Sequence, residues 1–318
     1  MPPQAVPPRT EDAAIAERRD TIRYGIDSQI MTLLKELASE KEDAFNDDLL
    51  ELYMASRSPR LRSSVLDFLG GREWTGAEAE ALGIIEDRDL NDQALVAAAL
   101  SYLASIRSKG ALAFAQEIAE EDDAKLLPSL VRLLGRAGGP DEERLLLSWL
   151  DDDGASESTK LEAVRALGDM KSTLAADRLA LAAADADAGK ALRMYACEAL
   201  AKIGDPISVS ALVTAANGGD PNVRTSAIEA LAAFPSAEAE AAIIEGLRDS
   251  YANARLAATK AAGKRKATSA LPFLRYKAAN DPEKSVRLEA CRAIAAIGGD
   301  SFVFLRERLE DAKEDRTL

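Results

Sequence analysis

The residues best suited to chemistry are basic groups gathered near the C-terminal end of the chain. Residues 260–292 carry nine lysines and arginines against three acidic residues. A cluster of side chains with one sign of charge attracts acidic protein surfaces and anionic lipid headgroups. The competing interpretation is a charged run that only faces water. The sequence predicts a partner-binding patch made of Lys260, Lys264, Arg265, Lys266, Arg275 and Lys277.

A second set of basic residues recurs along the chain. Its members from Lys160 onward are 31–33 residues apart. Such a row could hold an acidic peptide or a phosphate backbone. We favour a structural role instead, in which the basic groups pair with neighbouring turns, because Asp220, Asp249 and Asp281 fall in turns. We call this set the basic ladder, and it comprises Arg62, Lys160, Arg193, Arg224, Arg255 and Arg287.

Several kinds of chemistry are excluded by residue type. Histidine is absent from all 318 residues, so Ser-His-Asp catalysis, histidine-ligated metal sites and imidazole acid–base chemistry are impossible. Phosphate-loop, dinucleotide and nucleophile-elbow motifs are also missing. Asp151, Asp153 and Glu162 have the spacing of calcium ligands, but Ser156 stands where the calcium loop needs glycine. We predict a protein that is not an enzyme, with no catalytic, cofactor-binding or metal-binding residues.

The charge is unevenly distributed. The whole chain has a net charge of -14, with -15 in residues 1–159 and +1 in residues 160–318. Because affinity for phosphate comes mostly from lysine and arginine, this balance argues against a general binder of nucleic acid or anionic membranes. No apolar run reaches the roughly 18 residues that a membrane span requires.

The basic ladder belongs to a longer internal repeat. Residues 191–204, 222–231, 254–262 and 285–298 share the pattern apolar-Arg-x-x-Ala-x-x-Ala-Leu, with substitutions. We call the first alanine of this pattern the anchor. A ninth, weaker copy has its anchor at Ile30. The eight strong anchors are 31–34 residues apart and fall at Val65, Ala99, Leu130, Ala163, Ala196, Ala227, Ala258 and Ala290.

Each repeat is predicted to contain two helices. The anchor and the residues three and four positions later share one helix face. Alanine fills six of the eight strong anchors, which lets a neighbouring helix come close, and leucine fills six of the eight positions four residues later. Gly138, Gly204 and Gly298 stand eight residues after an anchor, where a helix ends. The helix that contains the anchor is called helix B, and the helix before it in the same repeat is called helix A. We expect helix B to line the concave face.

This pattern resembles an array of HEAT repeats, in the short, alanine-rich form also seen in phycobilin-lyase-type proteins. The likeness covers residues 20–315. Residues 17–27, Glu-Arg-Arg-Asp-Thr-Ile-Arg-Tyr-Gly-Ile-Asp, are similar to the start of HEAT-repeat proteins of spirochaetes, which often carry an export signal. The resemblance implies a scaffold, adaptor or protein-binding surface, while a minority of such arrays resemble bilin lyases or DNA glycosylases.

The fold predicted is all-α, a right-handed α-α superhelix (HEAT-type solenoid) of about nine helix pairs. Residues 1–16 are predicted to form a flexible, proline-rich tail and residues 17–318 a single monomeric solenoid. Phe302, Leu305 and Leu309 predict a C-terminal capping helix. Localisation stays open: a native Met1 indicates the cytoplasm, and a Met1 that replaces a removed signal peptide indicates the periplasm or export.

Cys197 and Cys291 occupy the same place in repeats three units apart. We do not expect a disulfide between them at that separation, and both are predicted to be small core residues.

The predicted function is a non-catalytic scaffold or adaptor that binds other proteins through the solenoid surface and needs no cofactor. One alternative is an enzyme-associated module, such as a bilin-lyase-like subunit. The other is nucleic-acid binding through the basic C-terminal half, which the net charge of the chain disfavours.

Overall fold

The structure is a computed structural model that describes residues 10–40, 43–121, 123, 125–152, 154–298 and 303–306. Every regular element in these residues is helical, which confirms the all-α prediction. None of the described helices combines the length and hydrophobicity needed to cross a bilayer. Apart from the helical residues 303–306, the described part of the chain contains α1 (Thr10–Tyr24), α2 (Asp27–Glu40), α3 (Asn46–Ala55), α4 (Pro59–Gly71), α5 (Glu78–Glu86), α6 (Gln93–Ser105), α7 (Ala115–Glu120), α8 (Leu127–Ala137), α9 (Pro140–Asp151), α10 (Glu157–Asp169), α11 (Ala176–Ala184), α12 (Lys190–Ile203), α13 (Ser208–Ala216), α14 (Pro221–Leu231), α15 (Ala237–Gly246), α16 (Ala252–Lys264), α17 (Leu271–Asn280) and α18 (Lys284–Ile297).

The helices alternate as the repeat predicts, with helix A odd-numbered and helix B even-numbered. Each even-numbered helix contains one anchor, from Ile30 in α2 to Ala290 in α18. No anchor is more than 2% exposed, including the weak one at Ile30. The register read from the sequence is therefore confirmed, and the described residues contain nine helix pairs.

The chain divides into two compact units, residues 1–142 and residues 143–318. In the first unit, helices α2, α4, α6 and α8 pack in chain order, each against the next. In the second unit, the B helices α10 to α18 pack in the same way, and α11, α13, α15 and α17 each pack on the B helix that follows. One uninterrupted solenoid over residues 17–318 stays a prediction.

The N-terminal end of the described chain differs from the sequence prediction. Helix α1 begins at Thr10, inside the range 1–16 that was predicted to be a flexible tail. Residues 1–9 lie outside the described residues, as does most of the predicted C-terminal capping helix, of which residues 303–306 are helical.

Many B helices end in a left-handed residue that stands eight positions after the anchor. The example after α16 is a Schellman motif, a pair of backbone hydrogen bonds that closes a helix. The N–H of Lys266 donates to the carbonyl of Gly263 at 3.0 Å, and the N–H of Ala267 donates to that of Ala262 at 3.0 Å. Left-handed backbone at this position, with φ between 52° and 78°, occurs at Glu73, Arg107, Lys171, Gly204, Lys266 and Gly298.

At two crossings of neighbouring B helices, a glycine that stands five positions after the anchor leaves no room for a Cβ. A Cβ added to Gly263 in α16 would lie 2.9 Å from the Cα of Ala293 in α18. One added to Gly168 in α10 would lie 2.8 Å from the Cα of Ala199 in α12. These distances are shorter than packed carbon atoms tolerate, so glycine is required at both crossings.

We predict that Gly263→Ala lowers the free energy of unfolding by about 1–3 kcal/mol, because the added methyl group must push two packed helices apart. Gly83→Ala is the matched control. A Cβ on Gly83, in α5, meets no atom within 4 Å. There we expect a gain of up to ~1 kcal/mol from the better helix propensity of alanine. Urea denaturation followed by circular dichroism measures both, and equal responses of the two variants would contradict the tight crossing.

Candidate functional site

The basic ladder forms clamps at the turns between helix A and helix B of the second unit. Arg224 donates from Nε and Nη2 to the carboxylate of Asp249, at 2.7 and 2.8 Å. Its Nη1 donates to the carbonyls of Gly218 and Gly219, at 3.2 and 3.0 Å. A single guanidinium therefore holds the turn before its own helix together with the turn of the next repeat.

The next repeat uses the same arrangement. Arg255 donates from Nε and Nη2 to the carboxylate of Asp281, at 2.8 and 2.9 Å. Its Nη1 donates to the carbonyls of Asp249 and Ser250, at 3.0 and 3.1 Å. Arg287 in turn donates to the carbonyl of Asp281 at 2.9 Å. Each of the two aspartates thus links two ladder arginines, one through its side chain and one through its carbonyl.

These carboxylates are ionised partners of the arginines. The side chain of Asp281 is 0% exposed and that of Arg255 is 8% exposed. Burial alone would raise the pKa of Asp281, but hydrogen bonds from Arg255 and from the backbone N–H of Glu283 hold it below its ordinary value. The hydrogen bond from Arg224 is the main reason that the pKa of Asp249 is lowered. Charge-assisted, bidentate pairs of this kind are the strong ones.

The other ladder residues differ from this arrangement. Arg62 stacks on the ring of Tyr53, 4.6 Å from its centroid, and donates to the Tyr53 hydroxyl at 3.2 Å. Lys160 is half-buried in α10. Arg193 is buried in α12 and donates from Nε to the carbonyl of Ala183 at 3.3 Å. The ladder is therefore not an open row of charges that a peptide could lie along.

Some members of the predicted basic patch make contacts within the protein, while others face water. Arg265 belongs to the first group. Its side chain is 12% exposed and donates to the carbonyls of Phe234 and Ser236, so this member of the predicted patch is held within the protein. Arg265 stands seven positions after its anchor, and its side chain reaches back to the turn that follows the preceding helix B. Arg72 holds the same position in its own repeat and donates to the carbonyl of Leu37 at 2.7 Å.

Two further members of the predicted patch are also engaged within the protein. The Nζ of Lys277 lies 3.3 Å from the carboxylate of Asp281, and the Lys277 side chain is 16% exposed. The guanidinium of Arg275 is half-buried and lies over the ring of Phe304, 5.8 Å from its centroid. Lys277 thus pairs with the residue that caps its own helix, and Arg275 contacts the helical residues 303–306.

Three members of the patch remain exposed: Lys260 and Lys264 on α16, and Lys266 in the turn that follows. Among the described residues, no carboxylate lies within ion-pair distance of any of the three lysines. The structure brings together these lysines and leaves the three other members of the patch in structural contacts. A role in partner binding stays a prediction.

Arg292 extends this exposed group, and sequence reasoning missed it. Its side chain is 72% exposed on α18 and lies 3.1 Å from Glu289. Helices α16 and α18 pack closely at Gly263 and Ala293, which adjoin Lys264 and Arg292 in the chain. The available signal was its position two residues after the anchor, which it shares with Lys260. We call Lys260, Lys264, Lys266 and Arg292 the basic surface.

The carboxylates with calcium-like spacing have other partners. Asp151 accepts from Nε of Arg178 at 2.9 Å, and Glu162 accepts from Nη1 of Arg165 at 3.0 Å. Asp153 lies outside the described residues. In the part of the chain that the structure describes, no group of three or more acidic or cysteine side chains is arranged to hold a metal ion.

Of the two cysteines, Cys197 is fully buried in α12. Burial raises the pKa of its thiol to about 12, so the group is protonated at neutral pH. Cys291, in α18, is half-buried.

Paired helices, a buried anchor in every helix B and arginine clamps at the turns define the chain as a HEAT-repeat protein. It belongs to the family described as Spirochaete HEAT repeat protein, whose model matches residues 22–318. No curated protein matches the chain.

The chain is similar to several solved structures. Kap121p bound to Nup53p is 14% identical, with a TM-score of 0.51, covering 97% of this chain and 40% of that one. Kap121p bound to Pho4p is 11% identical, with a TM-score of 0.42, covering 96% and 44%. Human deoxyhypusine hydroxylase in complex with glycerol is 22% identical, with a TM-score of 0.35, covering 74% and 92%. This chain therefore spans less than half of either Kap121p chain.

Proposed function

We propose that the protein is a non-catalytic scaffold or adaptor that binds an acidic segment of another protein on the basic surface. The observation that carries this proposal is the contrast between two kinds of basic residue in the second unit. The ladder arginines are held by aspartates and carbonyls, whereas the lysines of the basic surface face water.

The arrangement of the basic surface suits recognition by charge. Its side chains come from two packed helices and the turn after one of them, so the backbone beneath them is fixed. Exposed charges of one sign accelerate association with a complementary partner and select against partners of like charge. Because exposed charges add little folding free energy, they can be changed without unfolding the array.

A non-catalytic role is supported by residue chemistry. The chain contains no histidine. The carboxylates with lowered pKa values, Asp220, Asp249 and Asp281, all accept backbone N–H groups in turns and lie beside basic side chains. Kap121p, which shares the fold, is bound to another protein, Nup53p, and that is the kind of partner we propose here.

The test compares capture by immobilised wild type with capture by the triple variant Lys260→Glu, Lys264→Glu and Lys266→Glu. Arg265 is left unchanged because it holds the preceding repeat. We expect acidic proteins from the native source to bind wild type and to bind the variant about tenfold more weakly, with an unchanged helical signal. Raising the salt concentration should reduce the difference, because screening removes the attraction.

The matched control is Lys35→Glu, Lys109→Glu and Lys171→Glu, which changes three exposed lysines and produces the same change in net charge. The proposal fails if the two triple variants capture the same proteins equally well at low salt. Nuclease treatment that abolishes capture would favour the nucleic-acid alternative. A visible chromophore that copurifies with the protein would favour the bilin-lyase-like alternative.

A further inference from the structure

Arg193 occupies the same ladder position as Arg224 and Arg255 but lacks their carboxylate partner. The residue is 6% exposed. Within the described residues, its hydrogen bonding consists of the contact from Nε to the carbonyl of Ala183, at 3.3 Å. A buried guanidinium without a counter-charge is costly, because it gives up water and receives little in return. Arg193 is therefore a buried ladder arginine that has a backbone carbonyl, but no carboxylate, as its partner among the described residues.

The reason is a single residue in the next repeat. Asp249 and Asp281 supply the carboxylates of the two following repeats, and each stands six residues before a ladder arginine. Six residues before Arg224, the same position holds Gly218. A Cβ built on Gly218 would lie 3.2 Å from the carbonyl oxygen of Ala215 and 3.4 Å from Nη2 of Arg193. The guanidinium of Arg193 thus points at the place where the later repeats carry an aspartate.

We infer that Arg193 and Gly218 form a receptor for a carboxylate that a binding partner supplies. The carboxylate is either an aspartate or glutamate side chain or a free C-terminus. A guanidinium matches a carboxylate with two parallel N–H groups, as Arg224 and Arg255 show in this same chain. Shielding from water makes such a pair stronger than an exposed one.

The described residues around Arg193 do not supply the missing carboxylate, so it would have to come from another molecule. The neighbouring carboxylate of Asp220 accepts from the N–H groups of Asn222 and Val223 and lies 3.6 Å from Nζ of Lys190. A Cβ on Gly219 would meet nothing within 4 Å, so the approach beside the turn is open.

The carbonyls of Gly218 and Gly219 both accept from Arg224, which fixes the position of this turn. The inference is independent of the basic surface, because it rests on a different repeat and on a buried group.

The first experiment installs the missing carboxylate. Gly218→Asp reproduces the aspartate of the later repeats, and Gly219→Asp adds the same charge one residue away, in open space. The probe is sodium acetate, titrated against sodium chloride at constant ionic strength. We expect acetate to raise the unfolding midpoint of wild type and of Gly219→Asp. Gly218→Asp should unfold about 2 °C higher without acetate and should no longer respond to it.

Arg193→Met provides the complementary variant, since it removes the guanidinium and should abolish the acetate response whatever its own stability. The source of the carboxylate is separated with two short peptides. One carries an internal aspartate and an amidated C-terminus, and the other has no acidic side chain and a free C-terminus. Whichever peptide shifts the backbone amide resonance of Gly218 in wild type, and not in Arg193→Met, identifies the source. The inference is wrong if acetate leaves wild type unchanged, or if it stabilises Arg193→Met or Gly218→Asp as much as wild type.

Discussion

Replacing Arg255 with methionine is expected to lower the free energy of unfolding by about 3–5 kcal/mol, the usual cost of removing one partner from a buried ion pair. The substitution leaves the carboxylate of Asp281, which is 0% exposed, without its bidentate partner. It also removes the donor to the carbonyls of Asp249 and Ser250, so two turns lose their link. Urea denaturation followed by circular dichroism measures the loss.

Arg248→Met is the matched control for this prediction. Arg248 is 59% exposed and lies 3.0 Å from Glu245, which is 63% exposed. Exposed pairs contribute about 0–1 kcal/mol, and the stacking of Arg248 on Phe273 adds a similar amount at most. A loss for Arg255→Met no greater than for Arg248→Met would show that the ladder does not clamp the turns.

The cost of Arg255→Met should also depend on pH. Asp281 titrates below its ordinary pKa of 3.8 in the folded protein, because Arg255 and the backbone N–H of Glu283 outweigh the effect of burial. A carboxylate with a lowered folded-state pKa adds stability above its unfolded pKa and loses it as the pH falls through the folded pKa. The difference between wild type and Arg255→Met should therefore be constant near neutral pH and shrink below about pH 4. A difference that grows with acid would contradict this pairing.

The repeat was visible in the sequence because packing constrains residue size at fixed positions. An anchor such as Ala196 or Ala258 must be small, since a neighbouring helix lies against it, and both are 0% exposed. The side chain of Asp281 was also placed in the correct turn, because an aspartate and a basic residue recurred with the same spacing. Periodicity thus identified the helices, their order and their buried faces.

The sequence alone did not show which group each charged side chain contacts. Arg265 and Lys264 are adjacent and chemically alike, but one reaches back to the preceding repeat while the other faces water. The difference follows from the direction in which each leaves the last turn of α16. The left-handed backbone at Lys171 and Lys266 was also not predicted from the sequence. No glycine marks these positions, because helix-closing hydrogen bonds set the conformation.

A glutamate at position 227 should cost about 4 kcal/mol of unfolding free energy, because it brings both excess volume and an unpaired charge into a closed contact. Ala227 is the anchor of α14 and is 0% exposed. Helix α14 packs against α12, α13 and α16, so a longer side chain at this position cannot turn toward solvent. We expect an unfolding midpoint in urea well below that of wild type and a reduced helical signal at 37 °C.

Ala233→Glu is the control for Ala227→Glu, since it adds the same residue and the same charge at an exposed position just after α14. Surface substitutions of this kind change stability by no more than about 0.5 kcal/mol. The comparison tests the repeat register itself, because a shift of one residue along α14 would move position 227 away from the packed face. If Ala227→Glu and Ala233→Glu unfold at the same urea concentration, the anchor is not a helix–helix contact and the register of the repeat is wrong.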